Sequence, residues 1–253
     1  MTVQSSEISF DTQQGGSILK LKSGQFSGFC ENTPSARALA ASLLPDPDHS
    51  FAAGDPICSP WHSAATDKAL IRLDGYSYFV KRYNCQGFGY RLRNLLRPSR
   101  ALRSWHNGVS FQRAQVPTVP PILCLEERFL GLLGRSYVVF PHLTDAACLL
   151  NVWQILSPQE QREALLTLAE TFGCMHRKGI FHGDLNWRNI LVRKDERLQF
   201  FLVDLDGCLY RRGCHEKLAS RDLEHFYRDM SRAAVTDELT RYFRKNWQEI
   251  VMD

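Results

Sequence analysis

The chain of 253 residues has little that would tie it to an oxidised compartment, a metal cluster or a bilayer core. Its eight cysteines, at 30, 58, 85, 124, 148, 174, 208 and 214, include no Cys-x-x-Cys pair and match no zinc spacing. Most lie in apolar runs, as Cys124 and Cys148 do, which predicts buried free thiols in a reducing compartment. No window approaches the roughly 18 consecutive apolar residues of a membrane span. The Met1–Gly16 stretch is polar and lacks a basic start followed by an apolar run, so it does not read as a secretory signal. Together these absences predict an intracellular protein, soluble or peripherally bound. A hydrophobic share of 44% is enough to build one compact unit or two small lobes.

A second absence is local. From Gly75 to Leu125 there is no Asp or Glu, while eight Lys or Arg residues occur. Such a block is either a solvated basic helix face or a site for an anionic partner. Arg93, Arg97, Arg100 and Arg103 recur at steps of three and four, and would share one face if their helix were nearly continuous. No aromatic-basic motif of the nucleic-acid readers appears, so no nucleic-acid partner is expected.

The pattern of elements changes halfway along. Ile18–Leu21 is a short β-like run, either part of a ragged arm or an added strand, and Thr33–Leu44 has the makings of a short helix. Ala69–Leu73 and Tyr76–Tyr83 flank Asp74-Gly75, a tight-turn dipeptide, and predict a hairpin with Lys81 near the end of its second strand. Tyr90–Leu96 and Arg100–Ala114 read as helical, with Pro98 between them. Ile122–Glu126 and Ser136–Phe140 read as a second strand pair. Ser157-Pro158-Gln159-Glu160 is a helix start, with Ser as cap, Pro at the first position and Glu three residues on; Gly179 is a suitable stop. Short β runs follow at Ile190–Val192 and Phe200–Val203, then two amphipathic helices over Glu216–Met230 and Asp237–Val251. The predicted class is α+β with two lobes: 1–68 an arm and the start of the first lobe, 69–143 its sheet with one main helix, and 144–253 a mainly helical lobe.

The stretch from His176 to Gly207 carries the chemistry. His182-Gly-Asp184 lies in a polar loop after a long helix, Asn189 follows five residues after Asp184, and an apolar strand then ends at Asp204. Phosphoryl transfer needs positioned groups and charge neutralisation more than covalent chemistry. Asp184 suits the residue that orients an acceptor hydroxyl and takes its proton. Asn189 and Asp204 offer the oxygen ligands that Mg²⁺ requires, and Lys81 would hold the α/β-phosphates of ATP. Asn186 faces either the phosphoryl group or the acceptor; Arg188 either offsets charge in the transition state or braces the loop. Asp206 either assists the metal or caps the next segment. His182 is expected to fix the loop through backbone bonds, and His106, His142, His215 and His225 show no metal-ligand spacing.

His-x-Asp-x-x-x-x-Asn between a helix and a strand, followed by a strand ending in Asp, resembles the catalytic pattern of the protein-kinase-like fold. More narrowly, His182-Gly-Asp-Leu-Asn-Trp-Arg-Asn-Ile-Leu-Val192 resembles the catalytic loop of the bacterial lipopolysaccharide kinase family, which contains the Kdo and heptose kinases. Tyr78-Phe-Val-Lys-Arg-Tyr83, the Arg-rich helix ending in Trp105 with Val116-Pro-Thr118 after it, and Arg221-Asp-Leu223 at the opening of a C-terminal helix agree with it, so that the similarity spans residues 70–245. The resemblance implies a two-lobed protein-kinase-like fold and ATP-dependent phosphorylation of a sugar hydroxyl of the lipopolysaccharide inner core. It implies ATP and Mg²⁺ as cofactors, adenine bonded to the backbone around Phe140, His142 and Leu143, and a place at the cytoplasmic face of the inner membrane. There the basic residues Arg93, Arg97, Arg100 and Arg103 would meet an anionic substrate or lipid.

Two departures leave alternatives open. Relatives carry a Glu before the Trp of the Arg-rich helix, suited to pair with the strand Lys; here that residue is Ser104. A glycine-rich phosphate loop is also missing, and Ser59–Thr66 is either its small-residue substitute or an ordinary surface loop. A pseudokinase acting as a binding module is therefore one alternative. A kinase for another small acceptor is the other. Only 14 residues separate Gly207 from Asp222, too few for the activation segment of a protein kinase, and the basic block does not suit cationic drug acceptors.

Overall fold

The computed structural model describes residues 9–12, 17–44, 46–52, 55–56 and 65–252. The chain separates into two compact units, one of Met1–His106 with Pro120–His142 and the other of Asn107–Val119 with Leu143–Asp253.

The first unit is built on an antiparallel sheet. Its strands are β1 (Ser9–Thr12), β2 (Ile18–Ser23), β3 (Phe26–Glu31), β4 (Asp55–Pro56), β5 (Thr66–Leu73), β6 (Tyr76–Tyr83), β7 (Leu123–Phe129) and β8 (Leu132–Pro141), in the spatial order β1-β2-β3-β7-β8-β6-β5-β4. Asp74 and Gly75, with φ of 51° and 80°, make the tight turn between β5 and β6, and the pairing runs from Thr66↔Tyr83 to Leu73↔Tyr76. The Ile18–Leu21 run is an added strand. Leu19 and Leu21 are buried while Lys20 and Lys22 are exposed, the alternation of a strand with one face on a core. Gly28 in β3 is required by close approach, because a Cβ there would fall 1.9 Å from the carbonyl oxygen of Cys124.

The two faces of this sheet differ. One packs Leu21, Val80, Leu123 and Val139 against Leu39 and Leu43 of helix α1 (Pro34–Leu43), which Thr33 caps. A short helix, α2 (Pro47–Ala52), follows. The other face carries Lys81, Val138 and Cys124 in one cross-strand row, and Tyr83, Ser136 and Glu126 in the next. Phe29 lies in line with Cys124 on that face, and its ring stacks on Trp105 at 6.2 Å.

The Arg-rich segment is not one helix. α3 (Phe88–Arg93) ends at Asn94, and α4 (Arg100–Arg113) begins after Ser99, whose Oγ accepts the Leu102 N–H at 3.0 Å. Pro98 disfavours helical backbone at Arg97. Arg93, Arg97, Arg100 and Arg103 therefore do not share a helix face. Arg93, Arg97 and Arg103 are exposed, whereas the Arg100 guanidinium lies 4.7 Å from the centre of the Tyr83 ring.

The second unit is mainly helical. It holds β9 (Ala146–Cys148), α5 (Leu149–Val152), α6 (Pro158–Arg177), β10 (Ile180–Phe181), β11 (Ile190–Lys194), β12 (Leu198–Leu202), β13 (Leu209–Tyr210), α7 (Glu216–Arg232) and α8 (Asp237–Met252). The capping box at Ser157 and Glu160 starts α6, and Gly179, at φ 71°, follows its end. β12, β11 and β9 form one small sheet, β10 and β13 another. Leu165, Leu168 and Phe172 of α6 form a core with Trp153, Trp187, Phe226 and Phe243, which fixes the loop between β10 and β11 from beneath.

The described cysteines are free thiols. Burial pushes Cys30 up to about 11, and burial with nearby carboxylates pushes Cys208 up as well, so these sulfurs stay protonated and unreactive at neutral pH.

Candidate active site

The loop after β10 is held by its backbone. Asp222, buried in the middle of α7 rather than at its opening, accepts the His182 N–H at 2.7 Å on Oδ2 and the Gly183 N–H at 2.7 Å on Oδ1. The buried His176 of α6 lies on the same carboxylate, with Nε2 3.3 Å from Oδ2. The Trp247 indole N–H donates to His176 Nδ1 at 3.1 Å, so the proton of that imidazole sits on Nε2 and is donated to Asp222. Gly183 needs its small size: it has φ 85°, and a Cβ there would meet the Gly207 carbonyl oxygen at 2.7 Å.

His182 is fully buried and bonded to backbone on both ring nitrogens. Nε2 donates to the Val203 carbonyl at 3.0 Å, and Nδ1 faces the Asp184 N–H at 3.4 Å. The ring thereby links the loop to the segment that carries Asp204. Further on, Asn186 Oδ1 accepts the Arg188 N–H at 3.0 Å and caps the turn Trp187–Asn189. The Trp187 N–H donates to Asp229 Oδ2 of α7 at 2.9 Å, while its ring packs 5.0 Å from that of Trp153. Helix α7 thus supplies two buried carboxylates to the backbone of this loop.

These supports leave the Asp184 carboxylate held at both oxygens yet more than half exposed. Asn189 Nδ2 donates to the Asp184 carbonyl at 2.9 Å and to Oδ2 at 3.2 Å. His225 Nδ1 lies 2.9 Å from Oδ1. Spacing gives His225 no metal-ligand role, and the structure gives it a different place, against the loop's carboxylate. It stands one helical turn after Asp222 on α7, so the helix that anchors the loop backbone also brings an imidazole to the loop's carboxylate.

Asn189 and Asp204 are brought together by the β11–β12 hairpin. The Val203 N–H donates to the Asn189 carbonyl at 2.9 Å, which places Asp204 next to the start of β11. Asp204 has φ 66° and ψ 52°, a left-handed conformation that is costly for a residue with a side chain and recurs at functional sites. With the Asn189 amide hydrogens spent on Asp184, its oxygen remains for a cation. A carbonyl oxygen and a carboxylate form the hard donor set that Mg²⁺ takes when nucleotide phosphates complete its shell, so the residues fit that ion. Among the described residues no group of three or more His, Cys, Asp or Glu side chains is placed to hold a metal unaided.

In the first unit, Lys81 is buried on the sheet face, its ammonium 5.0 Å from the centre of the Tyr83 ring. Ser104 is buried on α4. A carboxylate is nevertheless present on the Lys81 face. Glu126, the residue that directly follows the acid-free stretch, lies one row away across β8 and accepts the Ser99 N–H at 2.6 Å. Strand register alone puts it there, which is why its position in the chain did not reveal it. Phe140 pairs with Phe79 at the end of β8, and the His142 N–H donates to the Ser77 carbonyl at 2.9 Å, so this position presents its carbonyl rather than its amide hydrogen. Leu143 begins the second unit, and its carbonyl accepts the Ala146 N–H at 3.4 Å. Most of Ser59–Thr66, the candidate phosphate loop, lies outside the described residues.

A search of curated proteins gave no match. Among solved structures, a chain described as WaaP in complex with acyl carrier protein is similar over 85% of this chain and 90% of that chain, with a TM-score of 0.63 and 19% identity. That likeness establishes a kinase-like fold, a sheet-rich first part followed by a helical second part. The family model of the lipopolysaccharide kinase (Kdo/WaaP) family matches residues 65–252, which include the loop, both hairpins and α7. With the match covering well over half of its length, the chain belongs to the lipopolysaccharide kinase (Kdo/WaaP) family and is a sugar kinase.

Proposed function

We propose that the protein transfers the γ-phosphoryl group of ATP to a hydroxyl of a heptose or Kdo sugar in the lipopolysaccharide inner core, with Asp184 as the catalytic base. The observation that carries this reading is the Asp184 carboxylate. It is fixed at Oδ1 by His225 and at Oδ2 by Asn189, and it still faces solvent. A carboxylate pinned in this way can orient a sugar hydroxyl and accept its proton as the oxygen attacks phosphorus.

The other residues take roles that their settings support. Asn189 and Asp204 would hold Mg²⁺, which supplies charge neutralisation on the phosphates when bound. Lys81 would hold the α/β-phosphates, with Glu126 on the same face of the sheet to offset its charge. The adenine would be met by backbone around Phe140, His142 and Leu143. Asn186 is committed to its turn through Oδ1, which leaves its amide hydrogens for the acceptor. Arg188 offsets phosphoryl charge. His225 acts through Asp184 and is a positioning residue. Arg93, Arg97 and Arg103 are exposed cations suited to an anionic core substrate or lipid.

The test is Asp184→Asn with ATP and purified lipopolysaccharide. Transfer should fall about 10²–10⁴-fold, with folding and ATP binding kept. Transfer at the parent rate would remove Asp184 from the base role. Mass spectrometry of core oligosaccharide from cells with and without the protein would show the phosphate and locate the sugar that carries it.

A further inference from the structure

Exposed apolar side chains are unevenly distributed over the first unit. Among the described residues eleven large apolar side chains are exposed, and six of them, Phe88, Leu92, Leu95, Leu96, Phe129 and Leu130, belong to two short segments. Leu96 is 93% exposed and Leu130 85%, so they project as tips and do not line a groove.

The two segments are fastened into one ridge. The Arg128 guanidinium donates to the carbonyls of Asn94 and Leu95, each at 3.2 Å, of Arg97 at 2.8 Å and of Gly131 at 3.0 Å. A Cβ on Gly131 would lie 3.2 Å from Leu95 Cδ1, so the β7–β8 turn and the end of α3 touch. The charge of Arg128 is met by Glu126, at 3.3 Å. Its role is to bind four backbone carbonyls and hold the tips in place.

The exposed charges within the first ridge segment are basic. Arg93 and Arg97 are exposed beside the leucines. The two carboxylates that precede the second segment on β7 are buried and engaged: Glu126 with Ser99 and Arg128, Glu127 with Arg135 and Gln25. Protruding apolar tips flanked by exposed arginines, with the β7 carboxylates buried and engaged, match the interfacial zone of an anionic bilayer. A helical protein partner would call for recessed anchor sites, whereas Leu96 and Leu130 project outward.

We infer that this ridge docks on an anionic phospholipid surface, with Leu96 and Leu130 entering the acyl boundary and Arg93 and Arg97 meeting headgroup phosphates. The inference rests on the proposed function only in that the acceptor is lipid-borne. The test is co-sedimentation with phosphatidylglycerol-containing vesicles and with pure phosphatidylcholine vesicles. The parent protein should bind the former, lose binding as salt is raised, and bind the latter weakly. The pair Leu96→Ser and Leu130→Ser should reduce bound protein about tenfold or more. Both sites are surface tips, and phosphorylation of a delipidated core oligosaccharide checks that the variant is intact. Absence of binding to anionic vesicles, or equal binding by parent and variant, would overturn the inference. So would retention by a soluble acidic protein with no vesicle binding, which would assign the ridge to a protein partner. Asp184→Asn should bind vesicles like the parent, so a failed kinase assignment and a failed ridge give different results.

Discussion

The Nδ1 of His225 lies 2.9 Å from Oδ1 of Asp184. An ionised carboxylate only accepts, so the imidazole is the donor and sets the direction of the remaining lone pairs of Asp184. Replacing His225 with Ala should lower kcat about tenfold while KM for ATP stays near the parent value. Gln at the same place, which keeps a donor, should recover part of the loss. Equal rates for His225→Ala and the parent would remove the positioning role, and a rise in KM for ATP alone would place His225 elsewhere in the cycle.

Asp222 is a structural keystone for the same loop. It accepts the buried His182 N–H and the half-buried Gly183 N–H, each at 2.7 Å, and the buried His176 ring. Asp222→Ala leaves these donors without a partner, and the expected cost is about 3 kcal/mol of stability, read from urea unfolding. A loss below half that value would mean that water or a neighbouring group replaces the carboxylate.

Lys81 and Glu126 stand on one face of the sheet. Lys81→Ala should raise KM for ATP about tenfold to a hundredfold, and Glu126→Gln should raise it less. If Glu126 acts through Lys81, the double variant will be no worse than Lys81→Ala alone. Fully additive effects would show that the two residues act independently.

Acid sensitivity is set in part at the start of α6. The Lys194 ammonium, 2.5 Å from Glu160, together with the Ser157 bonds, holds the Glu160 carboxyl down at about 2 against its ordinary 4.5. A depressed folded-state value stabilises the protein above the unfolded value, and that contribution is lost as pH falls from about 4.5 through about 2. Glu160→Gln should flatten this part of the stability profile and leave the neutral limb parallel to that of the parent. A profile unchanged below pH 4.5 would show that the pair contributes nothing.

Features written in local chemistry were legible in the sequence. The Asp74-Gly75 hairpin, the Ser157 capping box, the α7 and α8 periodicity and the His182–Asn189 loop each depend on residues a few positions apart. Features set by register or by long-range packing were not. The Ile18–Leu21 run is too short for its alternation to separate strand from arm, and only pairing with β3 decides it. The arginine face failed because Pro98 and the carbonyls turned toward Arg128 interrupt the helix, which spacing alone cannot show. His225 was missed because its partner lies 41 residues away in the chain, although its place one turn after Asp222 was a usable signal. Glu126 was missed because β8 stands between it and Lys81, and that neighbourhood exists only in the sheet.

The bonds from Asp222 to the His182 and Gly183 amides have a consequence for how the protein comes apart. These two hydrogens are bonded to a buried carboxylate on α7, so they exchange only when those bonds to the helix open. Their exchange with deuterium should follow the opening of α7 rather than the fluctuations of an ordinary surface loop. The loop after β10 and helix α7 would then form and melt as one cooperative piece, and any condition that loosens the helix would silence the enzyme before the rest of the chain unfolds.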